Sequence, residues 1–103
     1  MVISIYEKDI VSYFKTNIKE IFKESKVVNV HCDINNKVDM WVETKGFLFP
    51  IEFKRGDIGN VALGQLKRYM EFYGCEFGFL VGRKIKCSLP KNIGFISYLE
   101  YIW

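Results

Sequence analysis

The stretch KVDMWVETKGFLFPIEFKR, residues 37–55, constrains the fold of this chain more than any other part of it. Its alternation of apolar and polar residues predicts two strands, residues 38–43 and 47–54, joined by a turn at residues 44–46. Pro50 lacks an amide donor, which indicates that the second strand lies at a sheet edge or carries a bulge. A hairpin of this kind determines which side chains meet across it, because successive strand residues point to opposite faces.

Three charged side chains fall on the polar faces of these two strands. Glu52 and Lys54 share one face of the second strand, while Asp39 points away from its apolar neighbours on the first. Hairpin pairing would bring two carboxylates and an ammonium group together, and such a group is a plausible site for a divalent metal. The same charges would also suit a solvated sheet face, so the pattern leaves both interpretations open.

Composition limits the class of protein. The 103 residues suffice for a single domain, residues 1–103, and a hydrophobic fraction of 50% predicts a folded core. The three cysteines lack a CxxC pair and His31 is the one histidine, which disfavours an iron–sulfur or zinc cluster and indicates reduced thiols. Since the sequence shows neither a signal-peptide pattern nor a membrane-length apolar run, we expect a soluble, cytoplasmic protein without membrane contact.

Residues 3–24 have the apolar spacing of an amphipathic helix. Glu7 interrupts this pattern, because its spacing from Ile10 and Phe14 places it within the apolar stripe. A buried carboxylate is costly unless it is paired or bound to a metal. An exposed carboxylate near the helix start would instead interact favourably with the helix dipole. Both interpretations of Glu7 stay open from the pattern alone.

Local signals place the next two elements. A β-branched strand is predicted over residues 27–32, and a lone histidine in such a strand, here His31, is more often structural than a ligand. A helix is predicted over residues 61–73, with Asn60 as its N-cap and Gly74 as its C-terminal stop.

Two segments complete the predicted fold. Residues 76–82 have the pattern of a buried strand, whereas residues 94–103 are a last strand or a helix, which periodicity does not decide. The resulting order is α-β-β-β-α-β, an α/β domain with a central mixed sheet flanked by helices. The helix before residues 76–82 would form a right-handed crossover if the strands on either side of it lie parallel.

Six residues distributed over these elements form a recognisable set: Glu7, Asp39, Glu52, Lys54, Gln65 and Tyr69. In these residues and in its order of elements, the chain resembles the PD-(D/E)xK nuclease superfamily, whose members share the restriction endonuclease-like fold. The superfamily includes archaeal Holliday junction resolvases, and the glutamine and tyrosine, neighbours on one side of a helix, look most like the RecB-like branch. Val38 stands where the superfamily name has proline, and the cysteines do not match the cluster-binding RecB-like nucleases, so no iron–sulfur cluster is implied.

The resemblance implies a metal-dependent deoxyribonuclease that hydrolyses phosphodiester bonds. Asp39 and Glu52 would hold Mg²⁺ or Mn²⁺, with the carbonyl of Phe53 as a third ligand. Glu7 would support the metal directly or through water. A metal held in this way lowers the pKa of an attacking water and neutralises charge on the phosphate.

The other residues of the set would assist the reaction. Lys54 would orient or help to deprotonate the attacking water and stabilise the transition state. Gln65 and Tyr69 would steady the site or contact the DNA backbone. An ordinary boundary glutamine and a core tyrosine would give the same pattern on the helix.

Basic residues around this set form a predicted rim for DNA phosphates: Arg55, Lys67, Arg68, Arg83, Lys84 and Lys86. A solvated charged face is equally consistent with them. One domain of this size offers little surface for gripping a duplex, so we expect a homodimer. A second hypothesis is a catalytically inactive nucleic-acid-binding or interaction module with the same fold, which predicts salt-sensitive DNA binding without metal-dependent cleavage.

Overall fold

The computed structural model describes residues 6–28 and 38–102, which form one mixed sheet with helices packed on it. The elements in chain order are α1 (Glu7–Thr16), α2 (Ile18–Ile21), β1 (Ser25–Val28), β2 (Met40–Thr44), β3 (Phe47–Phe53), α3 (Asn60–Tyr73), β4 (Gly78–Gly82) and β5 (Ile93–Ser97), followed by a 3₁₀ turn at Tyr98–Glu100. The strands lie in the order β1-β2-β3-β4-β5, antiparallel from β1 to β3 and parallel from β3 to β5. This arrangement confirms the predicted α/β class. None of the helices that these residues form is long and apolar enough to cross a membrane.

Each face of the sheet has its own apolar cluster. On one face Phe14 of α1 packs edge-on against Phe53 of β3, with ring centroids 5.3 Å apart. On the other face Leu66 of α3 packs with Leu80 of β4. Glu52 lies opposite Leu80 in the β3–β4 register and alternates with Phe53, so its side chain points to the face that α3 covers. The predicted alternation of the hairpin is therefore present in the fold.

The predicted hairpin is formed by β2 and β3. Lys45 and Gly46 both have positive φ, 49° and 84°, as a two-residue turn matched to the strand twist requires. The prediction of an edge or a bulge at Pro50 is wrong, because β3 lies inside the sheet and its register with β2 is unbroken. Alternate amides of β3 face β4, as that of Lys54 does, and pairing with β4 starts only at Ile51. The amide that Pro50 lacks is therefore not needed by that ladder.

The single helix predicted over residues 3–24 is wrong in its length. It breaks at Asn17, whose side-chain amide donates a hydrogen bond of 2.9 Å to the carbonyl of Tyr13. Asparagine side chains compete in this way for backbone groups that a continuing helix would use. Beyond α2 the backbone of Glu24 is left-handed, with φ of 56°, and turns the chain into β1. The first residues of the predicted helix, 3–5, lie outside the described part of the chain.

Two predicted boundaries shift near the middle of the chain. The strand predicted over residues 27–32 overlaps β1 only at its first two residues, and residues 29–37, with His31 among them, lie outside the described part. Helix α3 begins at Asn60, so the N-cap position predicted for Asn60 belongs to Gly59.

The C-terminal part resolves the open prediction for residues 94–103. That segment contains both alternatives in succession, since β5 ends at Ser97 and the 3₁₀ turn follows at once. Gly74 ends α3 as predicted, with a left-handed φ of 70°. Helix α3 joins the parallel strands β3 and β4, which is the predicted crossover arrangement.

Candidate active site

The β2–β3 hairpin brings Asp39 and Glu52 together. Asp39 directly precedes β2, one residue beyond the Met40–Ile51 pair, so it lies across from Glu52. Its Oδ2 accepts a hydrogen bond of 2.8 Å from the amide of Phe53, which fixes the carboxyl group over the end of β3. The Asp39 side chain is also close enough to Glu52 to raise the pKa of that residue, both as a hydrogen-bond partner and by its charge. The two carboxyl groups therefore meet, as the alternation of the hairpin predicts.

The pKa of Glu52 is strongly shifted by its surroundings in the candidate site. The residue is only 4% exposed, and its Oε1 has no hydrogen-bond partner within residues 6–28 and 38–102. Burial, the hydrogen bond to Asp39 and the charge of Asp39 raise the pKa of Glu52 from 4.5 to about 8, whereas the charge of Lys54 lowers it. The pair therefore holds a proton at neutral pH as long as no cation compensates its charge.

Two further charges act on Glu52. Lys54 is half-buried directly after β3, and its amide donates a hydrogen bond of 2.8 Å to the carbonyl of Val81 in β4. Glu7 is the exposed first residue of α1, which matches the helix-dipole interpretation rather than the buried one. Its charge nevertheless contributes to raising the pKa of Glu52. Three acidic groups and one ammonium group thus interact at this end of the sheet.

Helix α3 places the predicted glutamine and tyrosine on the same face of the sheet as Glu52. Gln65 and Tyr69 are both half-buried and one helical turn apart. The Oε1 of Gln65 is buried without a hydrogen-bond partner among the described residues. It is therefore a second unsatisfied acceptor in addition to the Glu52 oxygen, and buried acceptors ordinarily have a donor or a cation beside them.

These oxygen donors fit a hard divalent cation. Within the described part of the chain, no group of three or more His, Cys, Asp and Glu side chains is placed to hold a metal. A cation here would therefore depend on Asp39 and Glu52, with a main-chain carbonyl and water as its other ligands, a set that suits Mg²⁺. The amide and carbonyl of one strand residue point to the same side. Since the amide of Phe53 meets Asp39, its carbonyl is directed to that side too.

The structure divides the predicted basic rim into two groups. Asp57 neutralises Arg83 and Lys86, with its Oδ1 2.9 Å from Nε of Arg83 and its Oδ2 3.4 Å from Nζ of Lys86. The hydrogen bond from Arg83 lowers the pKa of Asp57. The remaining members are exposed and form no ion pair with a carboxylate of the described residues: Arg55, Lys67, Arg68 and Lys84. The sequence did not single out Asp57, because both of its partners follow β4.

The loop after β3 is held to the end of the sheet by contacts that no local pattern predicts. The amide of Ile58 donates a hydrogen bond of 2.7 Å to the carbonyl of Lys84. Ile58 is fully buried against Gly82, where an added Cβ would come within 2.6 Å of its Cγ1. The hydroxyl of Tyr98 donates a hydrogen bond to the carbonyl of Arg55. These contacts fix the backbone that leads away from Lys54.

The fold is an α/β domain with a five-stranded mixed sheet, and it has a counterpart among solved structures. A crystal structure of a repair endonuclease from Pyrococcus abyssi is similar to it, with a TM-score of 0.65 and 21% sequence identity. The match covers 94% of this chain and 48% of the other, so this chain spans about half the length of that protein. At this identity the similarity concerns the fold. A scan of protein-family models gives no match, and a search of curated proteins gives none either.

Proposed function

We propose that this protein is a metal-dependent deoxyribonuclease of the PD-(D/E)xK superfamily. The observation that carries the proposal is the buried Glu52, which meets the exposed Asp39 next to Lys54 and has an Oε1 without a partner among the described residues. A buried carboxyl group beside a second carboxylate destabilises a fold unless another group compensates it, so a functional role is the better explanation. The fold shared with a repair endonuclease supports DNA as the substrate.

In this proposal the hairpin holds the metal. Asp39, Glu52 and the carbonyl of Phe53 would bind Mg²⁺ or Mn²⁺, and Glu7, exposed on α1, would act through water. When bound, the ion would neutralise phosphate charge and lower the pKa of the attacking water. The hydrogen bond from the amide of Phe53 keeps the Asp39 carboxyl oriented for this role.

The remaining groups of the chain act on the water and the phosphate. Lys54 would donate a hydrogen bond to the attacking water and offset the negative charge that develops on the phosphoryl oxygens. Its half-buried position strengthens this interaction, because less solvent screens it. Gln65 and Tyr69, on the helix above Glu52, would orient the water or a DNA phosphate.

A cleavage assay tests the function directly. Plasmid, linear and branched DNA would be incubated with the protein and Mg²⁺ or Mn²⁺, and we expect products that disappear when EDTA removes the metal. Salt-sensitive DNA binding without cleavage of any substrate would contradict the proposal. That outcome would support the catalytically inactive binding module instead.

Metal binding is expected to release a proton and to strengthen as the pH rises. The proton held near Glu52, with its pKa of about 8, must leave before the carboxylate can bind a cation. Mn²⁺ affinity should therefore rise about tenfold per pH unit below that pKa and level off above it. Isothermal titration calorimetry in buffers of different ionisation enthalpy measures both quantities.

The matched control for this titration is Glu43, a half-buried carboxylate of β2 paired with Lys26. Glu43→Gln should leave the affinity unchanged, whereas Glu52→Gln and Asp39→Asn should abolish binding. Equal Mn²⁺ affinity in all variants would rule out a metal at this pair.

DNA affinity is expected to depend on the rim cations that form no ion pair with a carboxylate of the described residues. Arg55 and Lys84 lie at the ends of adjacent parallel strands, and each phosphate contact contributes about 0.9 to the slope of log K against log salt concentration. Arg55→Ala and Lys84→Ala should each lower that slope by roughly one, as measured by fluorescence anisotropy with a labelled duplex. Lys86→Ala is the control, because Asp57 already neutralises Lys86. An equal decrease of the slope in all three variants would show that the ion pairs with Asp57 do not determine which cations contact DNA phosphates.

We also propose that the single domain, residues 1–103, acts as a cytoplasmic homodimer. Asp57 neutralises two members of the basic rim, Arg83 and Lys86, and two copies of the chain would extend the surface that DNA contacts. Sedimentation equilibrium of the DNA complex that gives the mass of the DNA plus one 12.1 kDa chain would contradict the dimer.

A further inference from the structure

We infer that Tyr98 is a positioning residue for Lys54, an inference that rests on the proposed function because Lys54 receives its chemical role there. Tyr98 opens the 3₁₀ turn after β5 and is 4% exposed. Its hydroxyl donates a hydrogen bond of 2.5 Å to the carbonyl of Arg55, which lies 43 residues earlier in the chain. That carbonyl belongs to the residue directly after Lys54.

The backbone around Lys54 is held on both sides by hydrogen bonds. Before the side chain, the amide of Lys54 donates a hydrogen bond to the carbonyl of Val81. After it, the carbonyl of Arg55 is held by Tyr98. Gly56 comes next, and glycine restricts the backbone less than any other residue. Without Tyr98, the peptide groups between the held amide of Lys54 and the held carbonyl of Gly56 would be free to rotate, and the direction of the Lys54 side chain would follow.

Tyr98 is itself fixed by its neighbours. Its carbonyl accepts a hydrogen bond of 2.7 Å from the amide of Ile102, which closes the turn. Tyr101 of the same turn packs edge-on against Phe14 of α1, with ring centroids 5.7 Å apart. The preceding Ser97 donates a hydrogen bond of 2.8 Å to the carbonyl of Arg83. The hydroxyl thus reaches Arg55 from a rigid turn attached to both α1 and the end of β4.

A buried tyrosine hydroxyl usually has a hydrogen-bond partner. The bond to Arg55 alone therefore does not show that Tyr98 positions Lys54. Kinetics with Tyr98→Phe does so, because this variant keeps the ring and removes only the hydroxyl. We expect kcat for DNA cleavage to fall about ten- to a hundredfold through misplacement of Lys54. KM for DNA and the Kd for Mn²⁺ should stay within about twofold of wild type, since the carboxyl pair and the basic residues are untouched.

Tyr101→Phe is the matched control, since it removes a hydroxyl from the same turn and keeps the ring that packs on Phe14. Its kcat should stay within about twofold of wild type. Equal kcat values for the Tyr98→Phe variant and the wild-type protein would overturn the inference. A lower kcat in both Tyr98→Phe and Tyr101→Phe would also overturn it, because the effect would then come from the whole turn and not from the hydroxyl of Tyr98.

Hydrogen exchange gives a readout that does not depend on activity. The amide of Arg83 donates to the carbonyl of Gly56, directly after Arg55, while the amide of Cys75 reports on the end of α3. In Tyr98→Phe the Arg83 amide should exchange at least about tenfold faster, with the Cys75 amide unchanged. Unchanged exchange at Arg83, or a uniform loss of protection, would overturn the inference. A wild-type protein that cleaves no DNA would remove the proposed function, and exchange would still decide whether Tyr98 holds this backbone.

Discussion

Lys54→Ala is expected to lower the rate of metal-dependent DNA cleavage by a factor of about one hundred or more, with little loss of stability. Lys54 follows Glu52 by two residues on the same face of β3, and the positive charge of its ammonium group lowers the pKa of Glu52. Removing a group that stabilises developing negative charge in a partly buried site typically costs two or more orders of magnitude. The measurement is the initial rate at saturating Mg²⁺, together with thermal unfolding to show that the variant is folded.

Lys45 provides the control for this experiment. It lies in the β2–β3 turn, at the other end of the hairpin, and pairs with Glu24 at 3.6 Å. Lys45→Ala should cut DNA at the wild-type rate, whereas Asp39→Ala should lose both cleavage and Mn²⁺ binding. If the Lys54→Ala variant cuts as fast as the wild type, the assignment of the site is wrong.

The second large effect concerns stability. Glu52→Gln is expected to stabilise the metal-free protein by roughly 2 to 4 kcal/mol at about pH 9 and to change it little at about pH 5. The pKa of Glu52 is raised in the folded state from 4.5 to about 8, so the folded chain retains a proton that the unfolded chain releases. The free energy of unfolding of the wild type therefore falls as the pH rises between these two values. Glutamine resembles the neutral carboxyl group and has no such penalty.

Urea denaturation of both proteins across this pH range measures the difference, because other titrating groups affect the two in the same way. Mn²⁺ should restore stability to the wild type at high pH and leave Glu52→Gln unchanged. Glu43→Gln, altered at a half-buried position where the carboxylate pairs with Lys26, should follow the wild-type curve. Parallel curves for the wild type and Glu52→Gln would mean that Glu52 ionises normally and that its burial has no energetic consequence.

Much of the hairpin was predictable because its signals are local. Alternation placed Glu52 away from Phe53, and the turn at Lys45 and Gly46 has the backbone that such a loop needs. Asp39 then meets Glu52 by register alone. These rules act over a few residues, so the sequence is sufficient to apply them.

The errors arose where distant segments decide the outcome. The position of Pro50 inside the sheet depends on where β4 begins to pair, which β3 does not specify. The pairing of Asp57 with Arg83 joins residues on opposite sides of α3, and no spacing rule reports it. The break at Asn17 is the exception, because its bond to the Tyr13 carbonyl is local and asparagine is a poor residue for a helix interior.

The long separation between Tyr98 and Arg55 bears on the order in which the site assembles during folding. Asp39 and Glu52 meet through a short-range hairpin, which costs little loop entropy and forms fast. The contact across 43 residues needs α3, β4 and β5 in place, so it arises late. A chain whose last strand has not docked would therefore bind cations before it can cut. Transition-state analysis with φ-values near one in the hairpin and near zero for Tyr98→Phe would show this sequence, and the reverse pattern would exclude it.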